Sequence, residues 1–427
     1  MNKLVFGTLD SLNISKEMSI QTGPFGTQLK ASEYVKEGIP VINVRNIGYR
    51  NEKEADLEYL DDKKAEMLKQ HKLNIKDIVF GRKGAVDRHL IVKNKHLGWI
   101  QGSDCIRIRF NTDKIIPDFL SYFFLTEGHK KWMEAQGAFG ATMGSLNQGI
   151  IQRISYPLFP IIIQKKIAAV LSAYDDLIEN NNRRISILEK MAEELYKEWF
   201  VRLRFPGYEK VKIVKGIPEG WEVKKIGNVV SFKYGFTESA IEDNNFPKFL
   251  RVMDINKKSY IKWSEVPNCK INDIEKNKYI LNKNDLVIAR MASPGKVAII
   301  EREINAVFAS YLIKMSIDKK YIYSYYLFYT LTNNYYQGLF TGADTSATRG
   351  NINGQIISKF NIIVPPLNIQ KEFELKILPL RNVLNKYIIQ NEALQLIRDK
   401  LLSRLMSGKI DVENLDIQFP ESLLTSL

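Results

Sequence analysis

Apolar side chains recur in alternating steps of four and three through Ile167, Leu171, Tyr174, Ile178, Ile185, Leu188, Ala192, Leu195 and Trp199, with Asn181 as the polar member. That spacing is a heptad seam. The seam returns 206 residues later as Phe373, Ile377, Leu380, Leu384, Tyr387, Asn391, Leu394, Arg398, Leu401 and Leu405. Each seam spans roughly 50 Å of helix at about 1.5 Å per residue. That is longer than the three to four turns of an ordinary globular helix. An apolar stripe of this length cannot stay in water, and two of them in one chain most simply cover each other. The opposite face is dense in charge, with Glu179, Arg183, Arg184, Glu189, Lys190, Glu193 and Glu194. This favours a helix pair over two amphipathic helices buried in ordinary domains. Asn181 and Arg398 cost stability at seam positions but can set register and orientation.

The rest of the chain also repeats. Val41 to Ile47 matches Phe249 to Ile255, and Asp77-Ile78-Val79 matches Asp285-Leu286-Val287, both at an offset of 208. Leu146-Asn147 matches Ile352-Asn353, and Pro160, Ile163, Gln164 and Lys165 match Pro366, Ile369, Gln370 and Lys371, at 206. A series in constant order across both halves indicates a tandem duplication. Within each half the pattern is mixed. Pro40 to Val44 and Asp77 to Phe80 are short β-favouring runs, and Cys105 to Phe110 alternates as a half-exposed strand does. Pro117 opens a helix carrying Phe119, Leu120, Phe123, Phe124 and Trp132. A glycine-rich loop spans Gly137 to Gly144, facing Gly342 to Arg349 in the second half. Pro206, Gly207, Gly216, Pro218 and Gly220 interrupt all periodicity and suggest a boundary.

The expected fold class is α+β. Two tandem mixed α/β domains, residues 1–158 and 206–363, are followed by long helices at 159–205 and within 364–427. The two long helices are expected to form an antiparallel coiled coil, which would relate the halves by a pseudo-twofold axis; a parallel pair would instead point both domains the same way along it.

Lys and Arg number 62 against 48 Asp and Glu, for a net charge of +14. That balance favours an anionic partner, nucleic acid being the commonest large one. Cys105 and Cys269 stand apart with no CxxC spacing, and the four histidines form no HExxH. A disulfide framework and a zinc site are therefore unsupported, and a reducing compartment is suggested. The first residues lack the apolar stretch of a signal peptide, and no run is long enough to span a membrane. A cytoplasmic location is expected. There is no Asn-Pro-Pro-aromatic or Asp-Pro-Pro-Tyr motif to hold a target amine. Gly408-Lys409 is followed by Ile410 rather than Ser or Thr, and Pro117-Asp118 has no Glu-x-Lys after it. Methyltransferase, P-loop and PD-ExK nuclease chemistry are unsupported.

Read together, the residues resemble the specificity subunit of type I restriction–modification enzymes. The carriers are Gly23 to Lys30, Asp77 to Val86, and Ile217-Pro218-Glu219-Gly220-Trp221. Leu146-Asn147, Pro160 and Gln164 to Ile167 add to them, with their echoes at Asn353, Pro365-Pro366 and Gln370-Lys371. The first half lacks the Ile-Pro-x-Gly-Trp opening, and Phe159 precedes Pro160 where the second copy has Pro-Pro. The resemblance implies two target recognition domains reading the two parts of an interrupted, asymmetric duplex DNA sequence. It implies paired helices that set the spacer and hold two methyltransferase subunits, with a motor–nuclease subunit joining for restriction. S-adenosylmethionine would belong to the methyltransferase partner, and this chain would carry no cofactor, metal or catalytic residue of its own. The alternatives are a self-sufficient modification or restriction enzyme, and a coiled-coil scaffold for protein partners.

DNA contact needs cations for phosphates and forked or amide side chains for base edges. The candidates are Arg45, Asn46, Arg82, Lys83 and Arg88 in the first domain, and Arg251, Arg290, Lys296 and Arg349 in the second. Each follows a predicted strand or lies in a Gly- or Thr-rich loop. Tyr196, Trp199 and Phe200 end the first seam, either capping its core or forming a docking surface for a methyltransferase. The tail after Gly408 is acidic and polar.

Overall fold

Short apolar runs form the strands at the centre of each half. In the computed structural model, residues 4–137, 144–256, 258–345 and 352–424 are described. They fall into two units, Met1–Ile178 with Leu394–Leu427, and Glu179–Ala393.

The first unit holds a sheet in the order Met18–Thr22, Cys105–Phe110, Ile78–Gly81, His89–Ile91, Tyr49–Arg50. Its pairings are antiparallel except the last, where Tyr49 runs parallel to His89. Ile78 and Phe80 face a core with Ile106, Ile108, Leu120 and Phe124, and Val79 turns to a second cluster with Ile42 and Leu90. The central strand is therefore buried on both faces and reads as a continuous apolar run rather than an alternation.

The second unit repeats this plan. Its sheet runs Val230–Tyr234, Leu312–Ile317, Leu286–Ala289, Val297–Ile299. Two outer pairings also recur. Ile39–Ile42 lies parallel to Ile100–Gln101 as Lys248–Leu250 does to Ala306–Phe308. Phe6–Thr8 pairs with Ser155–Pro157 as Glu222–Lys225 does with Asn361–Val364. The duplication read from scattered matches is thus a duplication of strand order.

The long helices are Ile161–Tyr196 and Leu367–Met406. Both start at the repeated proline, with Pro160 accepting from the Gln164 N–H at 3.0 Å and Pro366 from the Gln370 N–H at 3.2 Å. The two glutamines are buried and do the same work in each unit. Gln164 accepts the Ile116 N–H at 2.9 Å and donates to the Phe159 carbonyl at 2.9 Å. Gln370 accepts the Tyr323 N–H at 3.0 Å and donates to the Tyr321 and Pro365 carbonyls at 2.9 and 2.7 Å. A side-chain amide supplies one acceptor and two donors, enough to satisfy backbone groups that the helix-to-domain junction buries.

Both seams are buried or half-buried along their length. In the second unit Asn181 meets Asn391, Ile185 shares a cluster with Leu384 and Ile388, and Trp199 meets Phe373. Rising numbers meet falling ones, so the helix segments there are antiparallel. In the first unit Ile167 and Leu171 pack in one cluster with Leu402 and Leu405. The polar seam members pair. Asn181 donates to Asn391 at 2.8 Å and Asn391 to Asn182 at 3.0 Å. In the first unit Arg398 reaches Asp175 at 2.6 Å, and the Tyr122 hydroxyl donates to the same carboxylate.

At Lys197–Val201 the first helix widens to a π turn. A π turn carries one extra residue, so neighbours Trp199 and Phe200 both point inward. Phe200 packs against Tyr326, Phe373 and Trp221, and Tyr196 against Tyr329. These aromatics are buried in the core of the second unit. The stretch after them is less open than its Pro and Gly content suggests. Phe205 is buried against Trp221, and Ile213–Val214 forms a short hairpin with Ile217–Pro218. The tail folds back as well, burying Val412 and Leu423 in the cluster that holds Ile167 and Phe119.

Gln370→Ala should destabilise the full chain by about 2 kcal/mol or more, because the Tyr323 N–H and two carbonyls lose their partner. Chemical denaturation measures it, and a loss below about 0.5 kcal/mol would show that the junction is not clamped there. A second expectation concerns pH. His129 lies among Phe123, Phe124 and Trp132, and burial pushes its imidazole down to about 3 from 6.5. The folded state holds it neutral while the unfolded state takes up a proton. Its contribution is therefore whole above about pH 6.5 and is lost as pH falls from there toward 3. His129→Phe should flatten that limb by up to about 1.4 kcal/mol per pH unit, and an unchanged acid limb would refute the assignment.

Candidate nucleic-acid interface

One backbone arrangement is found in both units and carries an arginine. Arg82 follows strand Ile78–Gly81, donating its N–H to the Asp104 carbonyl at 2.7 Å. Its own carbonyl accepts from Leu146 at 2.8 Å. Arg290 follows strand Leu286–Ala289, donating to the Tyr311 carbonyl at 2.9 Å and accepting from Ile352 at 3.0 Å. The next residue, Asn147 or Asn353, caps a short helix by accepting the N–H of Ile150 or Ile356 at 2.9 Å. The arginine backbone is thus held on both sides.

Each guanidinium lies over an aromatic ring. Arg82 sits 5.0 Å from the centroid of Phe25, and Arg290 sits 5.1 Å from that of Tyr234. Phe25 is 53% exposed and Tyr234 41%, so both pairs stand at the surface. A guanidinium resting on a ring is restrained before it meets a ligand, so less rotamer freedom is lost when its fork forms hydrogen bonds.

The loops that bring the rings depend on close backbone approach. A Cβ on Gly23 would meet the Gly102 carbonyl oxygen at 1.9 Å, and one on Gly235 would meet that of Ala309 at 2.2 Å. Only glycine lets these loops press onto the segment entering the next strand. This accounts for Gly23, which opens the Gly-Pro-Phe-Gly run, and for Gly235 directly after Tyr234.

Other candidates fall around or away from these arginines. Lys83 is exposed and pairs with Asp104 at 3.3 Å. Lys296 is exposed on the turn after Leu286–Ala289, a turn tied down by Gln337 donating to the Gly295 carbonyl at 2.9 Å. Arg88 stands 5.7 Å from the Tyr49 ring centroid, and Lys130 lies 4.3 Å from the same ring. Arg45 pairs with Glu58 at 2.9 Å and donates to the Asp56 carbonyl, and Arg251 grips Asp254 through two nitrogens. Both are therefore engaged within their own domains. Arg349 and residues 138–143 lie outside the described residues, while Thr341 to Thr345 belong to helix Asn334–Thr345 rather than to a loop.

Asn46 requires a correction. It is 0% exposed, its Oδ1 accepts the Asn43 N–H at 3.2 Å, and its amide donates to the Lys53 and Ala55 carbonyls. Every polar atom is used inside the loop, so it cannot reach a base edge. Its counterpart Asp254 accepts the Arg251 N–H at 2.8 Å in the same way. The repeated residue closes a turn.

Sequence reasoning did not pick out Phe25, Tyr234, Asp104 and Tyr311 as site residues. Phe25 carried a signal, an aromatic between glycines in a polar loop. The partnership with an arginine more than fifty residues away carried none. Among the described residues no group of three or more His, Cys, Asp or Glu could hold a metal ion, and no helix is long and apolar enough to cross a membrane.

Comparison with known proteins gives the same reading from another direction. The profile described as Type I restriction modification DNA specificity domain matches residues 25–190 and again residues 218–390. The MjaIX type I restriction enzyme specificity subunit of Methanocaldococcus jannaschii is 29% identical over 318 residues, 71% of each chain. The putative MjaX specificity subunit of the same organism is 25% identical over 392 residues, 88% of each chain. In fold, the chain is similar to the crystal structure of a type I restriction–modification S subunit from M. genitalium. The TM-score is 0.58 at 17% identity, over 95% of this chain and 97% of that one. Two profile matches in tandem cover most of the chain, and it belongs to the type I restriction–modification DNA specificity family.

Proposed function

We propose that the chain is the DNA-recognition subunit of a type I restriction–modification complex, with methylation and cleavage carried by other subunits. Residues 1–158 would read one part of an interrupted duplex site and residues 206–363 the other. The single observation that carries this is the arginine over an aromatic ring, held by the same backbone bonds in both units. Arginine is the commonest specific reader of guanine, through a bidentate fork to O6 and N7. Lys83, Lys296 and Arg88 would supply phosphate contacts, and the net charge of +14 would favour encounter with DNA. The stoichiometry expected is two methyltransferase subunits and a motor–nuclease subunit, in the cytoplasm, with S-adenosylmethionine bound by the methyltransferase.

Selection from a randomised duplex pool, using the full chain in complex with its methyltransferase partner, should enrich a two-part sequence. Enrichment of no sequence would refute the reading. Arg82→Ala should cost about 1–3 kcal/mol at one part only, and Arg290→Ala the same at the other part. Equal losses on all duplexes would reassign both arginines to phosphate. Exchanging residues 1–158 for the corresponding domain of another family member should change one part of the site. The salt dependence of binding gives an independent check. Lys296→Ala should weaken all duplexes alike and reduce the slope of log K against log salt by about 1.

A further inference from the structure

The residue whose carbonyl receives the arginine N–H is Asp104 in the first unit and Tyr311 in the second. Each directly precedes an equivalent strand, Cys105–Phe110 or Leu312–Ile317. The two are thus the same position of one scaffold. The backbone does the same structural work in both, and the side chains differ in chemistry. The Asp104 side chain is 48% exposed and lies 3.3 Å from Lys83 Nζ, while Tyr311 is 56% exposed.

A carboxylate on a DNA-facing surface is repelled by phosphates, so it is costly there unless a donor meets it. Lys83 offsets part of the charge and restrains the side chain. The donors that duplex DNA offers in its major groove are the exocyclic amines, cytosine N4 and adenine N6. Resting on the reading of the chain as a DNA-recognition subunit, we propose that Asp104 is a specificity-determining residue. Its carboxylate accepts a hydrogen bond from one such amine in the part of the site read by the first domain. Tyr311 presents a ring and a hydroxyl at the equivalent position, so the second domain applies a different preference there. A single pair of positions would then account for part of the asymmetry between the two half-sites.

The test uses the full chain in its complex and the duplex that selection returns. Single adenines of the first half-site are replaced by purine, and single cytosines by pyrimidin-2-one, which removes one amine at a time. One replacement should weaken the unsubstituted protein about tenfold and leave Asp104→Ala indifferent, and its identity tells cytosine from adenine. Asp104→Asn keeps the size and loses the charge. It should bind the parent duplex more weakly while melting at the temperature of the unsubstituted chain. Tyr311→Ala should keep the full penalty at that base. The proposal is overturned if Asp104→Ala pays every amine-removal penalty that the unsubstituted chain pays. It is equally overturned if that variant binds all duplexes more tightly with preferences unchanged, since the carboxylate then only repels phosphate. If selection returned no sequence at all, the recognition reading would fail first and take this assignment with it. A returned sequence with an indifferent Asp104 removes this assignment alone.

Discussion

A long helix with an apolar stripe must be covered, and this requirement governs the rest of the molecule. Each buried Leu or Ile along such a seam is worth roughly 1.5–3 kcal/mol relative to leaving it in water. Seams of this length therefore hold the helix pair firmly, and the polar members choose how it is held. Asn181 against Asn391 and Asp175 against Arg398 are satisfied in the observed register. A slip of one turn would leave Asn181 and Asn391 buried without each other, at about 1–3 kcal/mol or more apiece, and would part Arg398 from Asp175. Stability thus comes from the apolar positions, and register from the few polar ones.

The helices are useful only if they are fixed to the sheets they accompany. Gln164 and Gln370 make that junction by spending a complete side-chain amide on buried backbone groups. The second unit adds a buried ion pair, Arg381 with Glu301, with the Tyr325 hydroxyl donating to the same carboxylate. Removing one partner of such a pair is costly, because the other charge is left buried. The helix is thereby joined to the sheet through directional contacts as well as through apolar packing.

From the end of an inner strand the fold then presents a guanidinium on a ring. Backbone bonds hold the arginine on both sides, and glycine allows the loop carrying the ring to come close. The rings come from different places, Phe25 three residues past the end of its strand and Tyr234 at the end of its own. The two units therefore preserve a geometry rather than a residue. That is the behaviour expected of a scaffold whose frame is held constant while its exposed side chains vary.

The amino-acid order alone was enough to reveal the two seams, the tandem duplication, the strands around Val79 and Ile106, and the basic balance. These are properties of periodicity and repetition, and they depend on neighbours a few residues apart. Arg82 and Arg290 could be nominated for the same reason, since each directly follows a strand that the pattern displays. Only the tertiary structure could separate the candidates. Asn46 and Arg82 look alike as polar residues after a strand. One is buried with every polar atom used, and the other stands on an exposed ring. Arg82 is placed by a contact between segments far apart in the chain, that of Phe25 with Arg82, whereas Asn46 closes on Asn43, Lys53 and Ala55 of its own loop. Local sequence carries no record of which distant residue will complete a hydrogen bond or cover a ring, because that is decided only when the strands come into register.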